Sequence, residues 1–110
     1  MSQLLDDMGV SYQEQYNIPE LSDFMLFDFA IFAGPTLLGL IEYDGEQHFH
    51  AIEKWGGEEK LAIQQERDQR KNDYCKKNNI FLLRIPYTDY DKMSAEYLFS
   101  RFPKLKNDLV

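Results

Sequence analysis

Apolar residues recur along this chain with two different periods, and the changes of period mark out its elements. Leu4, Leu5 and Met8 sit at helical spacing with Gly9 behind them as a C-terminal cap. That helix is short for so good a stop signal, so the chain is expected to begin partway through it. Val10–Ile18 carries Val, Tyr and Ile with some alternation and ends before Pro19, the pattern of an edge strand. Phe24–Phe32 reads FMLFDFAIF, apolar on both parities, as a strand covered on both faces requires. Gly34-Pro35 breaks it, Leu37–Asp44 follows as the second arm of a hairpin, and Gly45 closes that arm. Glu46 to Gly57 predicts a loop. Glu58–Lys77 is the clearest helix, free of Gly and Pro, acidic at its start and basic at its end, and stopped by Asn78-Asn79. Ile80–Ile85 predicts a buried strand ended by Pro86. Asp89 or Asp91 then caps a final helix through Phe102, with Met93, Tyr97, Leu98 and Phe102 inward. The order helix, three strands, helix, strand, helix predicts an α/β domain with a small mixed sheet of about four strands flanked by helices.

Composition narrows the class. The chain's 110 residues hold one domain with a modest core, and no repeats or linkers divide it. An apolar fraction of 44% and an aromatic fraction of 15% are those of a packed protein. No apolar run reaches the ~20 residues that span a bilayer, so no membrane partner is expected. A lone cysteine, Cys75, builds no disulfide framework, which points to a reducing, cytoplasmic interior. The formal net charge of −7 argues against simple nucleic-acid binding. That charge is uneven, however. Ten acids precede the first basic residue, Lys54, and most basic residues come later, among them Arg67, Arg70, Lys71, Lys76, Lys77 and Arg84. The asymmetry fits acids gathered at a metal site, with most DNA affinity supplied from elsewhere.

The chemistry gathers around the hairpin. Asp28 stands in the middle of FMLFDFAIF, where an unpaired charge costs several kcal/mol, so something must stabilise it. A hydrogen-bonded structural Asp is the bland alternative. Glu42 and Asp44 are two apart on the neighbouring strand and project from one face. With a three-residue turn, Gly34–Thr36, Asp28 lies directly opposite Glu42; a four-residue turn shifts the pairing by one. Carboxylates ~4 Å apart repel by about 4 kcal/mol at an effective dielectric of 20. A sheet keeps such a pair when a cation or a shared proton lies between them, and hard oxygen ligands point to Mg²⁺ or Mn²⁺. His48 and His50 follow on the loop; His48, nearer the strand end, is the better general base or acid, and Gln47 is placed to bind or orient a water. Asp68 shares a helical stripe with Leu61, Gln64, Gln65, Lys71, Asn72 and Cys75, a mixture suited to lining a polar cleft, although a solvated charged face reads the same way.

The runs IEYDGEQHF, WGGEE and QERDQRKNDYCKKNNIFLLRIPY resemble a group of phage- and mobile-element-encoded nucleases. These form the branch of the PD-(D/E)xK superfamily related to very short patch repair endonucleases and their homing-endonuclease relatives, the EDxHD group. The resemblance covers roughly residues 23 to 87. It implies a restriction-endonuclease-like core that cuts double-stranded DNA with a bound divalent metal. In that pattern Asp28 takes the place of the first-strand metal ligand, Glu42 the acidic position of the second half-motif, His48 the catalytic histidine and Asp68 the helix aspartate. Two departures stand out. Asp44 falls where the superfamily's lysine usually stands, and the glutamate early in the relatives' first helix has no counterpart, as in a domain whose first helix is truncated.

The expectation is therefore a single nuclease catalytic domain over residues 1–110 that hydrolyses phosphodiester bonds. Asp28, Glu42 and Asp44 would hold Mg²⁺ or Mn²⁺, and His48 would move a proton. Asp68 would orient His48 or a second metal, and Lys71 would meet the phosphate in the missing lysine's stead. Cutting both strands requires a homodimer or two sequential nicks, and the segments that read DNA are expected outside this chain. Two alternatives stay open: a catalytically silent DNA-binding or structural module of the same fold, and a nuclease specific for RNA or for junctions.

Overall fold

The computed structural model describes residues 1–21, 25–45 and 57–105. It contains a four-stranded mixed sheet flanked by helices, an α/β fold. A short helix α1 (Ser2–Asp7) leads into β1 (Ser11–Asn17), β2 (Leu26–Ala33) and β3 (Thr36–Asp44). The long helix α2 (Gly57–Lys77) then precedes β4 (Leu82–Pro86), and a 3-10 turn over Tyr87–Lys92 leads to α3 (Ala95–Arg101). The strands lie in chain order, β1-β2-β3-β4, with β1 at an edge as its polar sequence requires. The first two pairings are antiparallel, and β4 runs parallel to β3, which α2 makes possible as the crossover between them.

Two clusters of buried residues lie on the two faces of the sheet. Phe29, Ile31, Ile41, Leu83 and Ile85 join Leu5 of α1 and Leu98 of α3, together with Phe102 just beyond it. Phe27, Ala30 and Leu40 join Cys75 of α2. Neighbouring residues such as Leu40 and Ile41 thus enter opposite clusters, as strand alternation demands. Along β2 the alternation slips once. Phe27 and Phe29, two apart, belong to different clusters, and the residue between them is Asp28. Its neighbour across the edge is Gln15, held at φ 50, a left-handed conformation unusual for a side-chain-bearing residue. The kink therefore sits at the one carboxylate of β2.

Most helix ends follow the expected chemistry. Gly9 takes φ 71 beyond α1, and Val10 N–H returns to Leu5 O at 3.0 Å. Asn79 at φ 56 ends α2, with Ile80 N–H donating to Cys75 O at 2.8 Å, a Schellman closure. The cap of α3 corrects the expectation. Neither Asp89 nor Asp91 begins the helix; Ser94 does, its hydroxyl accepting Tyr97 N–H at 3.1 Å. Asp89 is engaged otherwise, its carboxylate accepting the Tyr97 hydroxyl at 2.8 Å. The inward positions of that helix are as expected: Tyr97, Leu98 and Phe102 are buried and Met93 packs against them.

The hairpin turn is also shorter than either expected form. Ala33 pairs with Thr36, leaving only Gly34 and Pro35 in the turn, and Gly34 takes the φ of 58 that a two-residue hairpin needs at its first position. A register shift beside Ile31 and Phe32 adds one residue to β3. Turn and bulge together give the offset of a three-residue loop, so Phe29 faces Ile41 and the next position sets Asp28 against Glu42.

Gly39 on β3 shows how tightly the α3 side is packed. A Cβ built there would lie 2.6 Å from Phe102 Cζ and 2.9 Å from the Phe81 carbonyl oxygen. Gly39→Ala is expected to lower unfolding free energy by about 1–3 kcal/mol through overpacking. A urea midpoint unchanged from wild type would contradict this packing.

Candidate active site

The antiparallel ladder between β2 and β3 ends at Phe29–Ile41, and side chains take over from backbone at the next step. Asp28 N–H donates to Glu42 Oε1 at 2.9 Å, and Tyr43 N–H donates to Asp28 Oδ2 at 2.7 Å. Each of the two acids thus accepts the main-chain hydrogen of the opposite strand. The fork answers the first anomaly of the sequence: an Asp in an apolar strand is held because its carboxylate replaces a missing ladder acceptor.

From α2 a lysine closes the fork. Lys71 Nζ donates to Glu42 Oε2 at 3.0 Å and to the Leu26 carbonyl at 2.7 Å, and lies 5.0 Å from the centre of the Phe27 ring. Lys71 and Glu42 are 8% and 5% exposed, so this is a buried ion pair whose value depends on each partner remaining. Lys71 had been expected to meet a phosphate; here its ammonium turns inward onto Glu42. Burial pushes the Glu42 carboxyl up despite the neighbouring Lys71, and Asp28 adds to the rise.

A second tier lies beside the first. The parallel register sets Arg84 of β4 opposite Glu42. Its guanidinium donates from Nη1 to Asp44 Oδ1 at 2.7 Å, from Nε to Asn72 Oδ1 at 2.8 Å and from Nη2 to the Asp68 carbonyl at 3.2 Å. Asp68 Oδ1 is 3.6 Å from the same Nη1 and accepts from Gln64 Nε2 at 3.2 Å. Asp68, Lys71 and Cys75 thus turn toward the sheet, and Asn72, though exposed, meets Arg84, while Gln65 of the same stripe is exposed.

Of the expected site, Asp28, Glu42, Asp44, Asp68 and Lys71 converge on one region between β2, β3, β4 and α2. Gln47, His48 and His50 lie outside the described residues. Arg84 and Asn72 also belong to the site; in the sequence Arg84 stands out only as one of the later basic residues and Asn72 only as a member of the polar stripe. Tyr43 and Tyr90 also border it, their rings edge to face with centres 5.0 Å apart. Burial and the nearby Asp28 push the Tyr43 phenol up to about 12, so it stays protonated. Cys75 beneath is buried, and burial pushes its thiol up, leaving it unreactive.

The expected repulsion between acids is thus met by protein cations. Among the described residues, no group of three or more His, Cys, Asp or Glu side chains is placed to hold a metal ion. The donor chemistry still fits a hard divalent cation. Among the described residues, four carboxylates (Asp28, Glu42, Asp44, Asp68) face two cations (Lys71, Arg84). Asp28 accepts at Oδ2 only, among the described residues, which leaves Oδ1 to a ligand. Mg²⁺ commonly binds through one or two carboxylates, keeping water or substrate phosphate in its other positions.

Comparison with known proteins places the chain beside viral proteins. It is 35% identical over 72 residues to "Uncharacterized protein 307L" of Invertebrate iridescent virus 6, covering 64% of this chain and 36% of that protein. It is 42% identical over 58 residues to "Uncharacterized protein 094L" of Frog virus 3 (isolate Goorha), covering 51% of this chain and 37% of that one. The matches thus span little more than a third of the length of these relatives. No family model matches the chain, and no solved structure matches it. No helix among the described residues is long and apolar enough to cross a membrane.

The raised Glu42 carboxyl gives a pH signature. The folded chain holds this proton to higher pH than the unfolded chain, whose glutamate titrates near 4.5. Its contribution to stability is full below 4.5 and is lost as pH rises through the folded pKa. Wild type is therefore expected to lose stability relative to Glu42→Gln as pH rises across that window, read from urea midpoints. Parallel pH profiles for the two proteins would contradict it.

Proposed function

We propose that this chain is the catalytic core of a divalent-metal-dependent DNA endonuclease with a restriction-endonuclease-like fold. The observation that carries the reading is the fork. Two adjacent strands part where Asp28 and Glu42 meet, Asp44 follows on the same face as Glu42, and α2 delivers a lysine ammonium to Glu42. Two strand acids with a lysine are the ingredients of the PD-(D/E)xK pattern that the sequence resembles. Lys71 supplies from the helix the positive group that Asp44 displaces from the strand.

In this reading Asp28 and Asp44, with Glu42 behind them, hold Mg²⁺ or Mn²⁺. The bound ion would polarise the scissile phosphodiester and offset charge that develops on it. Lys71 favours the ionised form of Glu42 against its burial and fixes its direction. His48, from the segment after β3, takes the proton of the attacking water or returns one to the departing oxygen, and Gln47 orients water there. Asp68 steadies the α2 side of the site. The substrate is double-stranded DNA, approached in a reducing cell interior. Both strands would be cut by a homodimer or in two successive nicks, with DNA-reading segments supplied from outside this chain.

One observation favours a second reading, a catalytically silent module of the same fold. Lys71 and Arg84 compensate much of the acid charge, and such a network holds a domain together without metal.

The two readings part on supercoiled plasmid incubated with Mg²⁺ or Mn²⁺. Metal-dependent nicking is expected from wild type, with a drop of at least about 100-fold in Asp28→Ala and in His48→Ala. Absence of nicking at high protein concentration would support the silent module. Nicking unaffected by either substitution would place the active site elsewhere.

A further inference from the structure

Arg84 is the one charged residue of β4, and its setting is unusual for a strand arginine. It faces acceptors from two different elements. Asp44 Oδ1 of β3 lies 2.7 Å from Nη1; on α2, Asn72 Oδ1 lies 2.8 Å from Nε and the Asp68 carbonyl 3.2 Å from Nη2. The Asp68 carboxylate stands 3.6 Å from Nη1. Only 20% of the arginine side chain is exposed. The planar fork is thus spread across the two acids on the helix side of the site.

We propose that Arg84 is a resident counter-cation of Asp44 and Asp68, beside Lys71 on Glu42, and competes with a divalent ion for Asp44. This rests on the metal-dependent reading given above, and it adds what controls metal entry. Without Arg84, Asp44 and Asp68 would repel each other across a partly buried gap. With it, they are held together before any ion arrives. An incoming divalent ion meets a permanent positive charge already hydrogen-bonded to one of its ligands. It binds by drawing Asp44 away from the guanidinium or by tolerating that charge nearby, and either lowers affinity. Nε and Nη2 keep the guanidinium tethered to Asn72 and the Asp68 carbonyl, so it stays at the site when Asp44 turns to the ion. Arg84 is thus a positioning residue that sets the concentration of metal at which the site fills.

The test is Mn²⁺ binding to the full chain without DNA, followed by the electron paramagnetic resonance of free Mn²⁺. Circular dichroism checks the fold of each variant. R84Q is expected to bind Mn²⁺ roughly tenfold more tightly than wild type. R84K keeps a charge but cannot span Asp44, Asn72 and the Asp68 carbonyl together, so a smaller gain of about threefold is expected. If R84Q does not fold without metal, R84K alone decides. Equal or weaker binding in the folded variants overturns the proposal, and so does the absence of Mn²⁺ binding in every protein. Plasmid nicking by the same proteins separates this from the nuclease reading. Nicking by wild type without the gain in affinity sinks the Arg84 proposal alone. The gain without nicking in any of the proteins leaves the proposal standing and sinks the nuclease.

Discussion

Glu42 lies in the fork between β2 and β3 with almost no access to water, and the arrangement around it follows from compensating that buried carboxylate. A buried anion needs both a counter-charge and hydrogen bonds at each oxygen. Lys71 supplies the first at Oε2, and the Asp28 main chain supplies a hydrogen bond at Oε1. Asp28 then returns the exchange by accepting Tyr43 N–H, so the two strands stay joined after their ladder has ended. Were either acid apolar, the fork would expose unpaired main-chain groups or close into ordinary sheet. Burial still lifts the Glu42 carboxyl, so the compensation is incomplete. A residue held near such a balance responds to any further cation or proton that comes close.

The rest of the fold positions the partners of that exchange. A two-residue turn and a one-residue bulge set Asp28 against Glu42, and the kink at Gln15 and Asp28 brings Phe27 beneath Lys71 on the α2 side. The parallel pairing of β4 places Arg84 where it reaches Asp44 and α2 at once. One helix thus contributes Lys71 to the first tier, and Asp68 and Asn72 to the second, from successive turns. The site is a joint between three strands and a helix, which explains why its cations come from elements distant in sequence.

Much of this could be read from the sequence, and the failures have physical reasons. The strands, the long helix and its polar stripe were legible because hydrophobic period and end chemistry agree there. The opposition of Asp28 and Glu42 was legible as an offset, though not as its cause, because a bulge leaves no mark that a turn-length argument detects. Ser94 was overlooked as a cap because Asp89 and Asp91 are equally good cap formers. Both acids fall within the 3-10 turn over Tyr87–Lys92, which ends before α3 begins, and Asp89 is bonded to Tyr97 instead. Arg84 was hidden for a deeper reason. An Arg in a five-residue strand is ordinarily outward, and the register of a parallel strand is set by a crossover helix rather than by a short turn. Repulsion between opposed acids reads in the sequence as requiring a cation or a shared proton; in the structure Lys71 meets Glu42 and Arg84 meets Asp44. That the chain brings two of its own could not be deduced without the placement of α2.

The exchange of carboxylates for ladder acceptors is the claim on which the site depends, and amide hydrogen exchange observed residue by residue by NMR tests it most directly. In Asp28→Ala the Tyr43 amide loses its only acceptor among the described residues. It is then expected to exchange at least about tenfold faster than in wild type. The Leu40 amide, bonded to the Phe81 carbonyl at 2.8 Å, is expected to keep its protection. A Tyr43 amide equally protected in both proteins would mean that the strands are held by ordinary backbone pairing and that the fork described here does not exist.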